Sequence, residues 1–129
     1  MLQEINATRQ IPGELYRRWF FASEQDLVVW YDANMDIAGF QLAYNKERQE
    51  RSIYWKEGRG FSHHDVDDGE DSPFRSNTPL LTIDGAFDRD TVLREFLRLA
   101  QQLPKEILTF VENKLRQYTA PTPFRAKDA

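Results

Sequence analysis

The stretch that most limits the folds open to this chain is DLVVWY, residues 26–31. Val28 and Val29 are β-branched, and Trp30 and Tyr31 are aromatic; such residues favour a pleated, half-buried strand. Alternation puts Leu27, Val29 and Tyr31 on one face and Val28 and Trp30 on the other, so both faces are apolar. That pattern predicts a central strand covered on each side. The chain must bring a layer to both sides of it, or leave one side for another molecule.

The segments around it extend the sheet. Residues 15–22, LYRRWFFA, are short and aromatic-rich and predict a strand whose two faces are both partly apolar. In residues 37–44, IAGFQLAY, Ala38, Phe40, Leu42 and Tyr44 share one face, while Gly39 marks a bulge or a close approach. Residues 51–57, RSIYWKE, put Ile53 and Trp55 on one face and Tyr54 on the other. The links are short and polar, and KERQE at 46–50 reads as an exposed hairpin tip. Four strands so joined predict an antiparallel meander. Residues 60–64 can add a fifth short strand, and LLTI at 80–83 a last one, closed by an Asp84-Gly85 turn.

The hydrophobic period then changes. Asp88 is a good N-cap, with Phe87 and Val92 at the spacing of a hydrophobic staple. Val92, Leu93, Phe96, Leu97, Leu99, Ala100 and Leu103 recur at helical spacing. Pro104 suits the first turn of a second helix, whose apolar face is Ile107, Leu108, Val111, Leu115 and Tyr118. Glu112 and Arg116 form an exposed i,i+4 pair on it. Strands followed by helices give an α+β class: an antiparallel sheet of about five strands, then two C-terminal helices packed on one face. Residues 1–13 read as a loose arm ending in a Pro12-Gly13 turn, and 119–129 as a frayed tail. The whole is one domain of 129 residues, with 14–83 as sheet and 88–118 as the helical pair.

Composition narrows the function classes. There is no cysteine, which removes thiolate ligands, thiol nucleophiles and disulfides, and fits a reducing compartment. No apolar run approaches the ~18 residues of a membrane span, and the N-terminus has no apolar signal region. A cytoplasmic, non-membrane protein is expected. The formal net charge is −4, but its source is local: without the five acids of 65–71, the chain has 16 acids against 17 bases. A domain without a basic block is a poor match for a phosphate backbone, so no nucleic-acid partner is expected.

Those five acids belong to the densest cluster of chemistry-bearing side chains, GRGFSHHDVDDGEDS at 58–72, part of a long acidic connection running to 77. Both histidines sit there. His63, His64, Asp65, Asp67 and Asp68 are the donor types that hold a divalent metal where thiolates are absent, and a hydrolase-like metal enzyme would use them. Against this, adjacent histidines on an extended chain point to opposite sides, and neither the EF-hand spacing nor HExxH is present. The plainer reading is a solvated acidic loop, or histidines that hydrogen-bond within it.

A second candidate is a stacking or anion-binding surface made by Arg17 and Trp19 in one strand and Tyr54, Trp55 and Arg59 in or near another. Its plainer counterpart is a core of aromatics with the cations reaching outward. A third is association: DLVVWY is apolar on both faces, and a domain this small need not cover both, so a homodimer or a protein partner is expected.

The string WF, DLVVWYD, IAGFQLAYN, W and GRGFSHHDVDDGE resembles a group of short uncharacterised bacterial proteins over residues 16–70. The resemblance implies a small soluble bacterial domain and carries over no catalytic residue. The functional expectation is therefore a small non-enzymatic domain, self-associating, that binds a partner or ligand. The alternative is the metal-dependent enzyme.

Overall fold

The structure is a computed structural model, and it describes residues 1–46, 50–65 and 88–118, with 64 and 65 as backbone. The strand expected at 80–83, the Phe87 half of the staple, most of the acidic connection and the tail lie outside the described residues.

Among the described residues, six strands and two helices follow one another: β1 (Gln3–Glu4), β2 (Tyr16–Phe21), β3 (Asp26–Tyr31), β4 (Ile37–Tyr44), β5 (Arg51–Lys56), β6 (Gly60–Asp65), α1 (Arg89–Leu99) and α2 (Lys105–Gln117). The strands form one antiparallel meander in chain order, so β3 and β4 are central. The α+β architecture stands, with six strands among the described residues rather than about five. The fifth is β6, which takes in the start of the acidic stretch. The sixth is β1, inside the arm expected to be loose.

That arm is tied down. Leu2 is 1% exposed, and its N–H donates to Leu99 O at the end of α1 (2.8 Å). The Ile5 N–H donates to Trp19 O. Further along, the Gln10 side-chain amide imitates a strand: Nε2 donates to Arg17 O and Oε1 accepts from Arg17 N, each at 2.9 Å. Ile11 to Glu14 then turns back into β2, with Gly13 at φ 86 in the left-handed region a type II turn demands. The expectation failed because Leu2 and Gln10 act singly, without a periodic pattern to announce them.

Cross-strand register sorts the side chains. Phe20, Leu27, Leu42 and Ile53 form one row, and Val29, Phe40 and Trp55 the next. This face meets Val92, Leu93, Phe96 and Leu99 of α1 and Ile107, Val111 and Leu115 of α2 in one core. At the Trp30/Tyr31 register shift, β4 carries one extra residue, the bulge that Gly39 announced. Asp88 caps α1 by accepting from Thr91 N, while Pro104 stands just outside α2, its carbonyl accepting the first helical bonds. Arg89 Nη1 donates to Arg116 O and Tyr118 O, pinning the start of α1 to the end of α2.

The other face is buried at its centre too: Val28, Trp30, Ala43, Ser52 and Ser62 are each at most 8% exposed. Both sides of β3 are thus covered within a single chain. The bare apolar face expected to drive self-association is not found on this strand.

Candidate binding groove

His63 lies on the helix side of β6, opposite Ile53, and is 5% exposed. Its ring stacks on Tyr44, with centroids 5.9 Å apart and planes within 5°. The Tyr44 hydroxyl and His63 Nε2 are hydrogen-bonded to each other. This histidine is therefore part of the sheet's packing rather than of a solvated loop, and its Nε2 is engaged. The backbone of His64 is in register with Ser52 and that of Asp65 with Arg51; Asp67 and Asp68 lie outside the described residues. Among the described residues, no group of three or more His, Asp or Glu is placed to hold a metal ion.

The aromatic and basic candidates are divided by the pleat. Arg17, Trp19 and Tyr54 share the face away from the helices, but Trp19 and Tyr54 are three strands apart in the row Trp19, Val28, Gln41, Tyr54. At strand spacing that is about 14 Å, too far for one ring to stack on both. Trp55 faces the helices, edge-on to Phe110 (5.3 Å) and beneath the Lys114 ammonium (4.3 Å). Arg59 is exposed in the turn between β5 and β6. These five do not form one platform. Burial pushes the Tyr54 phenol up to about 12, so it stays neutral in the fold.

A groove lies elsewhere, where the β2–β3 turn and the end of β4 meet the first turns of α1. This groove of about 320 Å³ is lined by Glu24, Gln25, Tyr44, Asn45, Lys46, Thr91, Val92 and Glu95. Its walls are firmly built. Ala22 N–H donates to Gln25 O and closes the turn. The Thr91 hydroxyl donates to Asp88 Oδ2 (2.8 Å), which fixes the first turn of α1 and holds the Asp88 carboxyl below its ordinary pKa. Asn45, at φ 56, bends the chain out of β4.

Lys46 was expected on an exposed tip, yet it is half-buried. Its ammonium donates to Asp26 Oδ1 (2.8 Å) and Ala22 O (2.9 Å) and sits 4.1 Å above the Phe21 ring. The long aliphatic stem covers apolar surface while the charge finds Asp26, so two neighbouring hairpin tips are locked together. On the α1 side, Arg98 Nη2 donates to Glu95 Oε2 (2.5 Å) and to Glu24 Oε2 (3.3 Å). The Ser23 hydroxyl and Arg98 hold the Glu24 carboxyl below its ordinary pKa, so it is charged at neutral pH.

Gln25 is the exceptional residue of this wall. It is 1% exposed, and its Nε2 reaches Val92 O only at 3.5 Å. With the N–H end turned to that carbonyl, Oε1 is buried without a hydrogen-bond partner. Such a group costs about 1–3 kcal/mol and calls for an explanation. Sequence carried a faint signal: Gln25 keeps the phase of Leu27 and Val29, a polar residue on the core-facing side. Glu24, Lys46 and Glu95 gave none, because only the fold brings them together.

Searches of family models, curated proteins and solved structures found no match to the chain. Among the described residues, no helix is long and apolar enough to cross a membrane.

Proposed function

We propose that this protein is a non-enzymatic binding domain that takes a small polar ligand in the groove between the β2–β3 turn, the end of β4 and α1. The observation that carries the reading is Gln25, a buried amide with an unanswered acceptor in the wall of a concave site. The 3.5 Å contact with Val92 O is too weak to fix the amide, so a modest rotation can present Oε1 to a donor in the groove. The metal-dependent enzyme has less support, since His63 is packed and hydrogen-bonded within the sheet.

Gln25→Leu tests this directly. Leucine fills similar space without a stranded oxygen, so the variant is expected to be more stable by about 1 kcal/mol and to lose ligands that bind in the groove. A screen of small polar molecules by protein-observed NMR, on both proteins, reads the result. If hits perturb Thr91 and Glu95 equally in both, the amide is not the recognition element. If no molecule perturbs the groove, the reading fails.

A further inference from the structure

The chemistry of the groove's walls specifies more than a polar ligand. Its acceptors outnumber its free donors. Gln25 Oε1 has no partner. The carboxylates of Glu24 and Glu95 share one guanidinium, that of Arg98, which leaves an excess of negative charge. Thr91 spends its hydroxyl proton on Asp88 and keeps its lone pairs. The donors, by contrast, are mostly spent: the Lys46 ammonium is taken up by Asp26, Ala22 O and the Phe21 ring. An anion entering here would meet two carboxylates and, once the Gln25 amide turns, a carbonyl oxygen. A cation rich in N–H groups would satisfy all three.

From this, and resting on the groove reading above, we infer that the ligand is a small organic cation bearing a guanidinium or ammonium group, which lies between Glu24 and Glu95 and donates to Gln25 Oε1. Arg98 is then the built-in rival. Its side chain is 58% exposed and already places a guanidinium against both carboxylates, which shows that the pair can hold one. Binding displaces Arg98 from at least one carboxylate. The planar fork of a guanidinium matches carboxylate geometry better than an ammonium does, so a guanidinium end is expected to take the Glu24–Glu95 position.

The test uses the full chain and four probes: agmatine, which carries a guanidinium at one end and an ammonium at the other, butylamine, 1,4-butanediol and succinate. Agmatine is expected to perturb the amide signals of Gln25, Thr91 and Glu95, with butylamine weaker. Glu95→Gln removes a charge-assisted bond and is expected to weaken agmatine by about tenfold. Arg98→Ala removes the rival and is expected to strengthen it several-fold. Opposite signs at two residues one helical turn apart distinguish a seated cation from general attraction to an acidic surface. Agmatine binding that ignores both substitutions, or that weakens in Arg98→Ala, overturns the inference. If succinate or butanediol perturbs the groove and agmatine does not, the cation falls while the groove reading stands. If none of the four does so, the cation inference is overturned, and a blank across the wider screen removes the groove reading as well. Melting curves of the variants confirm that these surface changes leave the fold intact.

Discussion

On the helix side of the sheet, one cross-strand row reads Phe20, Leu27, Leu42 and Ile53, with no polar atom until it reaches His63 at the edge. One residue along each strand, on the opposite side, the row reads Trp19, Val28, Gln41, Tyr54 and Ser62. Both sides are buried at the centre, but only the first row is hydrocarbon up to its edge. The second is held partly by matched polar groups, such as Gln41 Nε2 donating to Ser52 Oγ (3.1 Å) where Ser52 is fully buried. Hydrocarbon against hydrocarbon is tolerant of detail and contributes bulk stability. Paired polar groups stabilise less, but they punish any arrangement that leaves one unpaired.

The comparison is broken most severely by Val29→Asp. Val29 is fully buried on the helix side, and an unpaired carboxylate there is expected to abolish the folded state, read as loss of a cooperative melt. A folded Val29→Asp protein would mean the helix side is far wetter than its packing indicates. The isosteric pair Val29→Thr and Val28→Thr sharpens the contrast. A hydroxyl at position 29 would face Phe40 and Arg18, whose guanidinium is already bonded to Glu4 and Tyr31, and is expected to cost about 2 kcal/mol, whereas at 28, beside Gln41 in the register, the cost should stay below about 1 kcal/mol. Equal costs in denaturant melts would erase the distinction. His63→Ala probes the point where the apolar row ends; loss of a buried, stacked ring is expected to cost about 2 kcal/mol, and a change near zero would return His63 to the solvated state.

The smallest effect is a pH dependence on the polar side. The Tyr54 phenol titrates at about 12 in the fold, above the ordinary 10, so the fold favours its protonated form. Its contribution is complete below pH 10 and fades as pH rises from 10 towards 12, where the unfolded chain ionises first. Tyr54→Phe should flatten that part of the alkaline stability profile. Absorbance titration of tyrosinate, compared between the two proteins, should place the missing phenol well above the ordinary 10; a midpoint near 10 would show that Tyr54 is open to water.

Much of the fold was legible because it is written in repeating patterns. Aromatic and β-branched content located β2 and β3, alternation located β4 and β5, and helical spacing located α1 and α2. Local chemistry marked Asp88 as a cap and Glu112 with Arg116 as a pair, which hydrogen-bond at 2.9 Å. The pleat had already separated Trp55 from Tyr54, and a platform using both ignored it. The same alternation carried Phe61 and His63 to one side once residues 60–64 were read as strand, but the richness in acids beyond drew attention to a loop instead. The groove was not legible. Gln25, Lys46 and Glu95 come from two hairpin tips and a helix, and nothing in their spacing says that they meet.

The meander has a further consequence for how the protein is made. Each strand pairs with the one made just before it, so hairpins can zip up in order as the chain leaves the ribosome. The greasy row through Leu27, Leu42 and Ile53 is then complete while Phe96, Val111 and Leu115 are still to be synthesised. Leu2 waits longest, since the carbonyl it donates to belongs to Leu99. Until α1 and α2 follow, the nascent sheet has one bare apolar side, the kind of surface that aggregates, and Leu2 can dock only once Leu99 is in place.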